Sequence, residues 1–347
     1  MMYGTVINEY GDTSVLKYKD SLEEPSPKAN QVLVEIYASS VNPIDLMKRQ
    51  GYGKSIFEKQ RSLSFPWVLG SDFSGIVKEV GSQVSKFSQG DEVWGCSSHA
   101  NHGCYAQYGI FDLDEIDFKP NNISFQEAAS LPYVALTTWA ALIRWASLRP
   151  QDIKNKKVLV QAGAGGVGTF AIQLFSAWNC EVATTCSGHN HELVKGLGAT
   201  TVIDYTIEDF SNVLKDYDIV LDSIGDLGGE KFIERCLKVL KQTDTSHYIT
   251  LNHAAVRSID DKGILLGGPH ALFLRQKLKR EHRPINIHWS LFRPSLSGLQ
   301  QLSSLVIDGK VKPVLDSVYG LKDLPLAHDK VSTGHACGKV VIDMKND

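Results

Sequence analysis

The stretch Val158-Leu159-Val160-Gln161-Ala162-Gly163-Ala164-Gly165-Gly166-Val167-Gly168-Thr169-Phe170-Ala171-Ile172-Gln173-Leu174 sets the architecture. An aliphatic run reads as a buried strand, the glycines as a tight loop, and the amphipathic continuation as a helix. The loop has the spacing G-x-G-x-x-G, and its context makes it informative. Gly163 permits the turn, Gly165 lets backbone approach a pyrophosphate, and Gly168 lets helix and strand pack closely. The phosphates of a dinucleotide then meet the positive end of the helix.

The same rhythm continues downstream. Strands are expected at 181–186, 202–205, 217–223 and 246–251, with helices at 191–197 and 230–240. Such alternation specifies a doubly wound α/β domain with a parallel sheet. Upstream, 32–38, 73–81 and 90–95 read as short strands between turns, the pattern of a small β-barrel-like domain. Ser124-Phe125-Gln126-Glu127 fits a helix N-terminus, with an apolar helix running toward Trp145. A helix at 299–307 and a strand at 339–342 close the chain. This reading divides it into 1–125, 126–292 and 293–347.

Composition narrows the class. The 347 residues are 43 % hydrophobic and 22 % charged, as in a globular protein. The net charge of −3 supplies no field for nucleic acid, so DNA and RNA are not expected partners. The longest apolar run, 131–143, is 13 residues with two threonines, short of the about 20 that a bilayer span needs. The N-terminus, Met1-Met2-Tyr3-Gly4-Thr5-Val6, reads as the start of a strand rather than a leader. Four of the six cysteines are scattered singly, which suggests a reducing compartment and no disulfide framework.

A choice between NAD and NADP falls at the end of the second strand, where NAD sites place a carboxylate on the ribose hydroxyls. Here that strand ends Thr185-Cys186-Ser187-Gly188-His189, with no carboxylate. Ser187 can hydrogen-bond a 2′-phosphate, so NADPH is the expected cofactor. His189, His191 and Lys195 are candidate cations beside it; simple exposure on the loop and helix explains each equally well.

These residues, with Ser40-Val41-Asn42-Pro43-Ile44-Asp45, Leu69-Gly70-Ser71-Asp72-Phe73-Ser74-Gly75, Phe87-Ser88-Gln89-Gly90-Asp91-Glu92-Val93 and Ala128-Ala129-Ser130-Leu131-Pro132, resemble the medium-chain dehydrogenase/reductase superfamily in its quinone-oxidoreductase branch, over nearly the whole chain. Leu131 to Thr137, Gly166 to Gln173 and Gly334-His335-Ala336-Cys337-Gly338-Lys339 are similar to a mitochondrial, reticulon-interacting subfamily tied to ubiquinone biosynthesis. The resemblance implies a GroES-like catalytic domain, completed by the C-terminal segment, around a Rossmann domain, with NADPH in the cleft. Carried over by position, Ala164, Gly165, Gly166 and Val167 hold the phosphates, and Ser187 and Tyr205 the 2′-phosphate end. Ser223, Leu251 and Phe292 line the ribose and nicotinamide side, and His335, Ala336 and Cys337 close over the cofactor. The subfamily has Arg where this chain has Cys337, and Lys339 is the candidate substitute cation. A mitochondrial setting, a membrane or reticulon-type partner and a homodimer through the Rossmann sheet edge also come only from the resemblance; a cytoplasmic setting is the alternative.

Zinc enzymes of the superfamily place Cys in the first of these motifs and His-Glu in the second. Ser40-Val41-Asn42 and Gly70-Ser71-Asp72 lack thiolate and imidazole, so no catalytic zinc is expected. Cys96, His99, His102 and Cys104 fall within nine residues. The spacing is tighter than that of usual zinc sites, and a variable loop is the favoured reading.

Without a Lewis acid, hydride must go to an acceptor that delocalises the incoming charge, a quinone or a conjugated carbonyl. Asn42, Tyr52, Tyr133 and Thr137 are the candidate catalytic residues, a tyrosine hydroxyl serving as donor to the developing oxyanion. Ordinary packing is the competing reading for both tyrosines, and Asp45 reads as a structural anchor. The rivals are an enoyl-thioester reductase and a non-catalytic NADPH-binding interaction protein. The basic run Arg275 to Arg283 reads as a solvated helix face, with anionic lipid as the sharper alternative.

Overall fold

The structure is a computed structural model that describes residues 1–57, 65–98 and 103–345. The strands run β1 (Met2–Ile7), β2 (Lys17–Leu22), β3 (Gln31–Val41), β4 (Trp67–Val68), β5 (Asp72–Val80), β6 (Glu92–Cys96), β7 (Tyr108–Asp112) and β8 (Ile116–Phe118). Then come β9 (Lys157–Val160), β10 (Glu181–Cys186), β11 (Thr201–Asp204), β12 (Ile219–Asp222), β13 (His247–Thr250) and β14 (Asn286–Trp289), and last β15 (Leu315–Gly320) and β16 (Lys339–Asp343). Four helices bear on function: α1 (Pro43–Arg49), α2 (Pro132–Trp139), α3 (Gly166–Ala177) and α4 (Ala255–Glu281).

The described chain forms two compact units: 1–136 with 294–309 and 313–347, and 137–293 with 310–312. The first break falls at Leu136/Thr137 rather than at 125/126. The reason is local. The helix Phe125–Ala129, capped by Ser124 and Glu127 as expected, packs on β3 and β5. Ser74 Oγ donates to the Phe125 carbonyl at 2.6 Å, and the Phe125 ring lies 4.7 Å from that of Tyr37. This element belongs with the β domain.

The first unit contains a sheet in the order β15-β16-β3-β5-β6-β8, with β7 paired to β3, and a small sheet β2-β1-β4. Val32, Val34, Ile36, Phe73, Phe111 and Val340 are among its buried core residues. Strand β16 pairs antiparallel with β3, Val340 opposite Val41, so the C-terminal segment completes this sheet.

The second unit is one sheet in the order β11-β10-β9-β12-β13-β14, every pair parallel. Val158, Leu159, Val160, Val182, Val220 and Ile249 are all fully buried, as expected for parallel strands covered on both faces. Helix α4 is the departure from the sequence reading. It is two helical segments that meet at the non-helical Gly263 (φ +73°), with Pro269 inside the second.

Candidate active site

In the second unit, the parallel sheet brings every strand's carboxyl end to one edge, where open α/β sheets bind their ligands. Ala164 to Val167 follow β9, Ser187 follows β10, and Tyr205 follows β11. Ser223 follows β12, Leu251 follows β13, and Phe292 lies three residues beyond β14. The candidate cofactor residues of this unit therefore share one edge.

The loop geometry fits a dinucleotide. Gly165 caps α3, and a Cβ there would meet only the Ala162 carbonyl oxygen, at 3.5 Å. A Cβ on Gly168 would run into that same oxygen and the backbone of Gly163. Gly163 is required for a different reason from the expected one. The residue with positive φ is Ala162 (+55°), and a Cβ at Gly163 would strike the Thr184 hydroxyl. The glycine allows strand proximity rather than the turn itself.

Beyond β10, Ser187 Oγ lies 3.4 Å from His189 Nε2 and accepts from Asn190 Nδ2 at 3.3 Å. Tyr205 is 54 % exposed, open to a ligand. Sequence reasoning missed Asp204, whose carboxylate approaches Gly188 from the adjacent strand. It is held by the Thr206 hydroxyl at 2.6 Å and the Thr206 amide at 2.9 Å, and these bonds lower its pKa. Asp222, also missed, anchors the turn holding Ser223. Its Oδ1 accepts from the Ile224 and Gly225 amides at 2.8 and 2.9 Å, and its Oδ2 from the Tyr248 hydroxyl at 2.6 Å.

In the first unit, sheet register builds a buried polar cluster. Ser40 lies opposite Asp72 on β5, Asp72 opposite Cys96 on β6, and Val341 opposite Ser40. The ends of four adjacent strands therefore meet. Asp72 is fully buried and its carboxylate is saturated. Oδ2 accepts from Ser40 Oγ at 2.6 Å, Asn42 Nδ2 at 2.8 Å and Lys339 Nζ at 3.3 Å; Oδ1 accepts from the Tyr133 amide at 2.6 Å. Lys339 Nζ also donates to Asn42 Oδ1 at 2.5 Å.

One expectation changes here. Lys339 is buried within this cluster, so it is not a substitute cation for a cofactor. Both polar ends of the Asn42 side chain are engaged and the residue is fully buried, so in this structure Asn42 links Asp72 to Lys339 at the start of α1. Sequence reasoning offered Lys339 as a cation for the cofactor, and since lysine is seldom buried, only register reveals its partner.

Asp45 caps α1 by accepting from the Asn42 amide at 2.9 Å and takes Ser71 Oγ at 2.9 Å. Burial raises its pKa, with Lys48 opposing the shift. The Tyr133 hydroxyl is pushed well up by burial, with Cys96, Asp45, Asp72 and Tyr52 adding to it. The two candidate tyrosines thus belong to one neighbourhood of this unit. Thr137, one turn beyond Tyr133 on α2, has a buried hydroxyl without a hydrogen-bond partner among the described residues.

His335 is exposed, and its amide donates to Thr333 Oγ1 at 3.1 Å. Ala336 packs against the core of the first unit, and the Cys337 amide donates to Asp316 Oδ1 at 2.8 Å. Burial and Asp316 raise the Cys337 thiol. Burial also pushes Cys96 and Cys104 well up, while His99 and His102 lie outside the described residues.

Fold and site together define a two-unit nucleotide-dependent oxidoreductase, and comparison specifies it further. Residues 28–134 match the alcohol dehydrogenase GroES-like domain, and 197–342 match a zinc-binding dehydrogenase domain. The chain is 35 % identical to the zebrafish (Danio rerio) protein named NAD(P)H oxidoreductase RTN4IP1, mitochondrial, covering 100 % of this chain and 92 % of that one. It is 35 % identical to the human protein of that name, over 99 % and 89 %. The quinone oxidoreductase structure from Coxiella burnetii superposes with a TM-score of 0.80 at 32 % identity, covering 99 % of both chains. The chain belongs to the medium-chain dehydrogenase/reductase superfamily, in its quinone-oxidoreductase branch. It is a quinone oxidoreductase-like enzyme that uses a nicotinamide cofactor.

Proposed function

We propose that the protein is an NADPH-dependent, zinc-independent oxidoreductase that delivers hydride to a quinone or conjugated carbonyl. The observation that carries this reading is the saturated Asp72 cluster. A metal at the motif positions would have to take Asp72 from Lys339 and recruit the neutral Asn42 and Ser71. That donor set does not fit zinc, which takes thiolate, imidazole and carboxylate. The ammonium already supplies the positive charge.

When bound, NADPH supplies the hydride. The chain's own part is to hold the cofactor on the β9–β14 edge and to position the acceptor. Ser187 favours the 2′-phosphate because no ligand carboxylate follows β10, and Asp204 is engaged by Thr206. A tyrosine hydroxyl with raised pKa stays protonated at neutral pH, so Tyr133 can donate a hydrogen bond to the developing oxyanion. Tyr52, in the neighbourhood of Tyr133, shapes the acceptor side. The relatives' names favour a mitochondrial setting, ubiquinone-type acceptors come from the family resemblance alone, and β14, one of the two outer strands of its sheet, is an edge to which a second copy would add.

The test is NADPH consumption with a benzoquinone, a naphthoquinone, an alkenal and an enoyl thioester, in wild type and Tyr133→Phe. Quinone turnover that falls in kcat by roughly 10²-fold in the variant supports the role of Tyr133. Turnover of the enoyl thioester alone makes the protein an enoyl reductase; cofactor binding without any turnover makes it an interaction protein.

A further inference from the structure

Helix α4 presents a face that folding does not use. Its two halves meet at Gly263 and fold against each other. A Cβ at Gly267 would strike the Ser258 carbonyl and the backbone of Ile259, and Ser258 Oγ lies 3.3 Å from His270 Nδ1. Gly267, Ala271, Leu274 and Leu278 recur at helical spacing. The first two are buried, and Leu278 packs against the core of the second unit. That stripe fixes which side faces out.

The outward side is apolar first and basic after. Leu265, Leu266, Leu272 and Phe273 are 87, 70, 55 and 64 % exposed. Continuing at the same spacing are Lys277 and Arg280, both exposed, with Arg283 just beyond the helix. Arg275 to Arg283 holds five Lys and Arg against Glu281 alone, in a chain whose net charge is −3. Glu281 offsets Lys277 in an exposed contact at 3.8 Å, and Asp226, Glu230 and Glu234 border the same groove as Lys277, so the outward positive charge lies mainly at Arg280 and Arg283.

We propose that this face docks onto an anionic lipid bilayer. Large aliphatic and aromatic side chains beside Lys and Arg on one helix suit the boundary between acyl chains and headgroups. The local positive charge is complementary to anionic lipid. No helix among the described residues is long and apolar enough to cross a membrane, so the contact is peripheral. The proposal stands on this face alone and does not depend on the acceptor or on NADPH preference.

The full chain is mixed with phosphatidylcholine vesicles, with and without phosphatidylglycerol, and floated at low and high salt. Binding is expected only to the anionic vesicles and is lost at high salt. Lys277→Glu/Arg280→Glu weakens it by on the order of 100-fold. Leu272→Ser/Phe273→Ser weakens it as well, and these exposed sites leave the thermal midpoint unchanged. Absence of flotation with a folded wild-type chain overturns the proposal. So does conversion of a wild-type dimer to monomer by Leu272→Ser/Phe273→Ser without vesicle binding, which makes the face a self-association surface.

Discussion

Replacing Lys339 by Met removes the buried ammonium and leaves most of the side-chain volume. Lys339 and Asp72 are 6 % and 0 % exposed, with Nζ 3.3 Å from Oδ2. At that distance, with an effective dielectric constant of about 20, the direct attraction is about 5 kcal/mol. Desolvation of both ions opposes it, so the pair's net value is smaller. Deleting one partner is costly for another reason: it strands the Asp72 carboxylate and the Asn42 carbonyl, at about 3–5 kcal/mol. In a protein this size the thermal midpoint should fall by on the order of 10 °C. Lys157→Met is the control, because Lys157 and Glu181 are 43 % and 48 % exposed at 3.7 Å, and such a pair contributes at most about 1 kcal/mol. Differential scanning fluorimetry reads both. A Lys339→Met/Asp72→Asn double variant should be less destabilised than the two single changes added together. If Lys339→Met shifts the midpoint no more than Lys157→Met, the cluster does not organise this unit.

Ser187→Asp puts a carboxylate where the 2′-phosphate is expected; KM for NADPH should rise roughly 10- to 100-fold, with NADH little changed, by steady-state kinetics. Gly168→Ala drives a methyl into the Ala162 carbonyl, so cofactor affinity measured by calorimetry should fall more than for Gly196→Ala, whose Cβ meets nothing within 4 Å. Burial lowers His253 to about 4 from an unfolded value near 6.5. The unfolded chain therefore takes up this proton first as pH falls. The stability gained by keeping His253 neutral is complete above pH 6.5 and is lost toward pH 4, by roughly 3 kcal/mol. His253→Gln should flatten that part of the acid unfolding profile, read by circular dichroism.

The Rossmann unit was legible because its strands are short, rich in β-branched and apolar residues and separated by helices, and because the glycines from 163 to 168 leave few alternatives. Its cofactor edge followed from topology, since parallel strands all end on one side. Strand β14 was not legible: Asn286-Ile287-His288-Trp289 is too short and too polar to stand out. Nor was α4, which the sequence reading did not assign; Gly263 is a true break between its two helical segments, and Gly267 is a packing requirement. The expected helix toward Trp145 is three pieces, ending in a π-helical turn over Ala140–Trp145. The polar cluster was the least visible part. Ser40, Asn42, Asp72 and Lys339 are far apart in sequence, and only register across β16, β3 and β5 joins them. Sequence exposed the missing zinc ligands but not the lysine that pairs with Asp72.

The most direct test of the account is the ratio of kcat/KM for NADPH to that for NADH with a benzoquinone acceptor, measured with and without a zinc chelator. The account predicts turnover strongly favouring NADPH and unchanged by the chelator. Equal use of NADH, or turnover abolished by the chelator and restored by zinc, would contradict it.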